Sequence, residues 1–132
     1  MATRTTPESL PRPLASRLLY AGLTATLLAL IAAELVHRDG GYWWLAAFVM
    51  APDVALFVGF GTGLEKGQLH RRAVPLYNLL HRFWGPLVLG ALTIATLIPS
   101  GFLLGALAWA LHIALDRAIG YGLRTRDGFQ RS

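Results

Sequence analysis

An all-α integral membrane fold, with four helices running up and down as a bundle, is what this sequence predicts, and three observations predict it. Hydrophobic residues make up 55% of the 132 and charged ones only 14%, whereas roughly a quarter of a soluble domain is charged. The mean hydropathy is +0.49. The apolar residues gather in four long runs, 14–36, 42–64, 75–99 and 101–123, each near the ~20 residues a helix needs to cross the hydrocarbon core. The arginines lie mostly between and beyond these runs, as the positive-inside bias requires. The net charge of +5 and the pI near 10.5 are therefore assigned to the membrane surface, not to nucleic acid. With no cysteine in the chain, disulfides, thioether-linked haem, iron–sulfur clusters and zinc–thiolate sites are excluded. Any metal must be held by His, Asp, Glu or Asn.

Residues 1–13 form a polar leader with Arg4, Arg12 and the prolines Pro7, Pro11 and Pro13, and disorder is expected there. Run 14–36 is too long for a signal-peptide core of about 7–15 residues, so it reads as a retained span. Ala21, Ala25, Ala29 and Ala33 recur every fourth residue, a small-residue ridge suited to close helix packing. Glycines Gly40 and Gly41 then reverse the chain, and Tyr42, Trp43 and Trp44 form an interfacial aromatic belt. In the second run, Pro52 cannot donate to the helical ladder and predicts a kink beside Asp53. Residues 65–72 (EKGQLHRR) read as a basic loop. The third run opens with Pro75 in a first helical turn, and Pro86 should bend it. Pro99 and Ser100 turn the chain into the fourth run, and residues 124–132 form a polar tail.

Orientation follows from charge. Arg4, Arg12 and Arg17, the loop residues Lys66, Arg71 and Arg72, and Arg124, Arg126 and Arg131 of the tail fall on one side. The other side has Arg38, beside Asp39 and Glu34. Both termini and the 65–72 loop are expected in the cytoplasm.

The last run carries His112 and Asp116 four residues apart, hence on one helix face. An ionisable pair inside a span is costly and marks a functional site. At ~1.5 Å per residue from the outer turns, Asp53 lies about 15 Å deep, His112 about 18 Å, Asp116 about 24 Å and His81 about 28 Å. That spacing predicts a two-level column opening to the cytoplasm, with Asn78 near its base. Two imidazoles and two carboxylates suffice for zinc, manganese or iron, although no ligand spacing matches a standard zinc motif. Plainer readings stand beside this one: Asp116 pairing with Arg117 or Arg82 near the interface, His112 bonded to a carbonyl, His81 at the surface. Asp53, at mid-depth, has no interfacial escape.

Pro52-Asp53, the string LYNLLH at 76–81, and HIALDRAIGYGL at 112–123 followed by Gly128-Phe129 resemble the domain of unknown function 4260 family, small bacterial integral membrane proteins without an established activity. The resemblance covers about residues 42–129 and places Asp53, Asn78, His81, His112, Asp116 and Tyr121 on motif positions. It implies a bacterial cytoplasmic membrane location and supplies no reaction. The tail departs from the pattern, ending in GFQRS without a terminal histidine.

The leading expectation is a metal-dependent, membrane-embedded enzyme, hydrolase-like, acting on a lipid-like substrate. Asp53, His81, His112 and Asp116 would serve as ligands or acid–base groups, and Asn78, Arg82 and Tyr121 would orient the substrate. The alternatives are a proton- or cation-coupled carrier, self-assembled as a homo-oligomer through its alanine and glycine ridges, or a structural subunit of a membrane complex. A haem held between His81 and His112 is disfavoured by their difference in depth.

Overall fold

The computed structural model describes residues 12–131; the leader expected to be disordered lies outside the described residues except for Arg12 and Pro13. Six α-helical segments follow in order: α1 (Leu14–Arg38), α2 (Tyr42–Met50), α3 (Val54–Gly59), α4 (Val74–Leu80), α5 (Trp84–Ile94) and α6 (Phe102–Ile119). The described residues contain no strand, only an isolated bridge between Arg124 and Gln130. Three stretches are long and apolar enough to cross a membrane: Leu14–Arg38, Tyr42–Gly59 and Phe102–Ile119. The fold is thus all-α with three candidate spans, and α5 is a shorter apolar helix of 11 residues. Large apolar side chains cover the outside, among them Leu19, Trp43, Phe57, Leu79 and Ile94, as expected of a surface that meets lipid.

At the centre stands α6, packed against α1, α2 and α5. It buries Leu104, Gly105, Ala106, Ala108, Ile113 and Ala114, small residues alternating with large so that neighbours come close. Arg17 Nε donates to the Ala118 carbonyl at 2.9 Å, and Arg38 donates to Ser100 at the opposite ends, so α1 runs antiparallel to α6. Trp44 sits over Gly101 and Phe48 over Gly105, so α2 runs parallel to α6. The Gly101/Gly105 pair therefore packs against two aromatic rings of α2. Gly85 and Gly90 of α5 face Trp109 and Ala106, and α5 is antiparallel.

The alanine ridge of α1 packs against no other helix of this chain. Ala21, Ala25, Ala29 and Ala33 are all exposed. The face turned inward is that of Tyr20, Thr24, Leu27, Ile31 and Arg38, with Leu27 and Ile31 buried.

Helices α3, α5 and α6 end earlier than the hydropathy suggests, while α1 runs to Arg38, past its apolar run. Asp39 and Gly120, both left-handed, close α1 and α6; Thr96 does the same after α5. In each case the following N–H reaches back to a carbonyl of the last turn: Gly40 to Leu35, Leu97 to Leu92, Tyr121 to Asp116. This is the Schellman arrangement that satisfies terminal carbonyls. Residues 95–99, expected inside the third run, belong to the turn before α6, and residues 60–64 belong to the connection after α3.

Both prolines interrupt their helices. The stretch Ala51–Asp53 tightens into a 3-10 turn around buried Pro52. Between α4 and α5 the chain leaves the helix at His81 (φ −97°, ψ 21°) and resumes at Trp84, with Pro86 in the new first turn, where its missing N–H is harmless.

The tail is folded back. Thr125 N–H donates to the Phe129 carbonyl, Arg131 N–H to Leu123, and Leu69 N–H to Gly128, while Arg71 pairs with Asp127. Leu69 joins Ala55, Ala73 and Tyr77 in a small core under this hairpin.

Candidate functional site

The two helix interruptions turn carbonyls toward α6, and polar side chains of α6 take them. His112 Nδ1–H donates to the Val49 carbonyl at 2.9 Å, beside the Pro52 break. Trp109 Nε1–H donates to the Leu80 carbonyl at 2.7 Å, and Arg117 to the His81 carbonyl at 2.9 Å, both at the second break. Non-helical backbone at membrane depth is tolerated where protein satisfies it, and here α6 does so.

These bonds fix the chemistry of the imidazoles. A carbonyl only accepts, so the ring nitrogen facing it carries the hydrogen. His81 Nδ1 lies 2.8 Å from the Tyr77 carbonyl and His112 Nδ1 faces Val49. In the neutral rings both Nε2 atoms therefore present lone pairs, and they present them to each other at 3.3 Å. Asp53 Oδ1 lies 3.7 Å from His81 Nε2 and 3.5 Å from His112 Nε2. Asp116 Oδ2 lies 3.5 Å from each. Four electron-pair donors thus converge with no hydrogen to share among them.

The separations suit a cation. A tetrahedral ion with zinc-like bonds of ~2.0–2.2 Å holds its ligand atoms ~3.3–3.6 Å apart. Asp53, His81 and His112 offer ligand atoms within 4.8 Å of one another, and Asp116 closes on both imidazoles. Two carboxylates and two neutral rings around a divalent ion sum to zero charge, which lowers the cost of placing them in hydrocarbon. The carbonyl contacts at Nδ1 are the orienting partners that metal-bound histidines use. A porphyrin plane has no room between the two Nε2 atoms, so the geometry disfavours a shared haem on grounds other than depth.

Burial is graded across the site. The side chain of His81 is 1% exposed, that of His112 12%, Asp116 21% and Asp53 37%. The carboxylates face a cleft of about 370 Å³ lined by Tyr77, Tyr121, Arg124 and Gln130 with Leu56 and Gly67. Tyr77 stacks on His81 with ring centroids 3.8 Å apart, and the Arg124 guanidinium covers the other part of this stack, 4.8 Å from the Tyr77 centroid. Gln130 reaches the Tyr77 hydroxyl at 3.3 Å.

Of the residues singled out in the sequence, Asp53, His81, His112 and Asp116 meet in one cluster. The two-level column is corrected. The count to His81 ran through residues 95–100, which are turn rather than helix. Seven residues separate His81 from the start of α4, and seven separate His112 from the end of α6, so the two rings share a level. Tyr121 lines the cleft beside Asp53. Asn78 does not face it freely: its side-chain amide donates to the Arg124 carbonyl at 3.0 Å and accepts the Arg124 N–H at 2.7 Å. Arg82 lies in a different cleft, on the far side of His81. Asp116 pairs with neither Arg117 nor Arg82, because Arg117 turns away to the His81 and Tyr121 carbonyls.

Tyr77, Arg124 and Gln130 were not anticipated. Tyr77 stands one turn before His81, spacing that could have revealed it; the two tail residues carry no local signal. No match was found among curated proteins or among solved structures. The family described as Domain of unknown function (DUF4260) matches residues 18–132, and the chain belongs to that family.

Proposed function

We propose that this chain is a four-span, up-and-down membrane protein of the cytoplasmic membrane, its termini in the cytoplasm, whose Asp53, His81, His112 and Asp116 bind one divalent cation. The cation serves hydrolysis of a lipid-like substrate. The observation that carries this reading is that two carbonyl-locked imidazole lone pairs lie 3.3 Å apart, each with a carboxylate oxygen of Asp53 and of Asp116 at 3.5–3.7 Å. Without a positive charge among them these groups repel one another.

His81 and His112, the most buried, are the fixed ligands. Asp53 is the most exposed and borders the cleft, so it is the ligand suited to exchange with substrate. Asp116 lies close enough to act as the fourth ligand or as a base. A divalent ion at such a position supplies Lewis acidity and an activated water. Arg124 and Tyr121, at the cleft wall, would hold the anionic part of an ester or phosphoester. The orienting roles expected for Asn78 and Arg82 are withdrawn, since one is engaged with the tail and the other faces elsewhere.

Elemental analysis of detergent-purified protein tests this. About one divalent ion per chain is expected, with affinity lowered at least ~10-fold in Asp53→Asn and His112→Ala. A second reading follows from the same 3.3 Å contact between the Nε2 atoms, which a shared proton would also bridge, as in a relay. Folded but metal-free wild type, with proteoliposome proton flux that depends on Asp53, would replace the enzyme by the carrier.

A further inference from the structure

A second cleft, of about 450 Å³, opens on the other side of His81 and is lined by Tyr20, Arg82, Phe83, Trp84 and Arg117 among others. It lies at the end of the molecule where Arg17 meets Ala118. Its floor is Arg117, only 7% exposed. Two of its N–H groups go to the carbonyls of His81 and Tyr121. No carboxylate among the described residues pairs with it, because its neighbour Asp116 points into the histidine cluster.

More positive charge is collected around this buried cation. Arg12 sits over the Tyr20 ring at 5.8 Å, and its Nε is buried without a hydrogen-bond partner among the described residues. Arg82 lies on the rim, exposed. A guanidinium that served only to clamp carbonyls would gain nothing from two more beside it, since like charges repel. Donors left over in a fork geometry suit phosphate oxygens.

The walls are of another character. Trp84 is 73% exposed and Leu87 61%, and both face the apolar exterior. Helices α1 and α5 each pack on α6 with little contact between them, and the surface of α5 beyond the arginines stays apolar through Val88, Leu92 and Ile94. A cationic cleft beside an exposed apolar helix face suits a lipid, whose head and tail differ in the same way, and basic pockets between spans bind anionic head groups.

We infer that Arg82 and Arg117, which line this cleft, and Arg12, held beside it over the Tyr20 ring, form a site for a phosphate monoanion or diester, either the head group of an anionic lipid or a free phosphate compound. This assignment does not rest on the metal cluster. Thermal unfolding of the detergent-purified full chain would be titrated with short-chain phosphatidylglycerol, short-chain phosphatidylcholine and inorganic phosphate. The proteins would be wild type, Arg12→Gln, Arg82→Gln, the double variant and Lys66→Gln. Phosphatidylglycerol is expected to stabilise wild type and Lys66→Gln equally, and to bind about fivefold more weakly for each cleft arginine removed. Arg117→Lys, which keeps the charge but loses the fork, should weaken binding if it folds; the two Gln variants decide the matter if it does not. Saturation by inorganic phosphate at the same affinity as phosphatidylglycerol would identify a free phosphate compound as the source, and much tighter lipid binding a lipid. Equal binding of the probes to wild type and double variant, or none to wild type, would overturn the site. Metal content measured on the same samples keeps this outcome separate from that of the histidine cluster.

Discussion

Asn78 illustrates how a single side chain can hold a distant segment. Its amide meets both backbone groups of Arg124, much as a neighbouring strand would, and so fixes the tail against α4. Asn78→Ala leaves that N–H and that carbonyl without partners, at a cost of roughly 1–3 kcal/mol. We expect a lower unfolding midpoint in detergent and faster hydrogen exchange at Arg124, with metal content retained. At this scale the sequence was informative wherever polarity stood out. Asp53, His112 and Asp116 are ionisable groups in apolar runs, and their cost in lipid alone marks them. Tyr77 escaped because a tyrosine in an apolar run resembles any interfacial aromatic. Arg124 and Gln130 escaped because a polar tail beyond the last span has no reason, in one dimension, to return. The Asn78 amide, expected to orient a substrate, is paired with the Arg124 backbone instead, since composition does not distinguish an amide that awaits a ligand from one that is already paired.

The interrupted helices carry the functional geometry. Pro52 produces the 3-10 turn whose neighbouring carbonyl, that of Val49, orients His112. Restoring the missing N–H in Pro52→Ala lets the helix run straight through Asp53 and turns that carbonyl back into the ladder. The expected result is metal affinity reduced by about 10–100-fold, the usual effect of losing an orienting partner, with little change in helix content by circular dichroism. Near-wild-type affinity would show that the break does not position His112. Both proline breaks were legible, because Pro acts through its own missing donor and its effect is local. The length of the third helix was not. Residues 95–100 are as apolar as a span, yet Thr96 takes the left-handed conformation (φ 61°) and stops α5. Hydropathy reports where a segment sits, not where its hydrogen bonds end, and the depth assigned to His81 was wrong for that reason.

For the molecule as a whole, the all-α class and three of the four apolar stretches, as helices long enough to span, followed from composition, while the third run came out as shorter helices. The position of α6 at the centre did not follow, since nothing in its hydropathy separates it from α1. Arginines gather at the end where α1 begins and α6 finishes, with Arg17, Arg71, Arg82 and Arg124 all there. A reporter fused after the tail is therefore expected to be active only inside the cell, and one inserted at Gly40 only outside; the reverse pattern would invert the proposed orientation. The central place of α6 has a bearing on biogenesis. Of the described helices it leaves the ribosome last, and until it arrives the Val49, Leu80 and His81 carbonyls lack the donors they use in the finished fold. The earlier segments then hold unpaid polar groups in hydrocarbon or wait near the head groups, so assembly must be completed by the helix synthesised at the end, which locks the others as it enters.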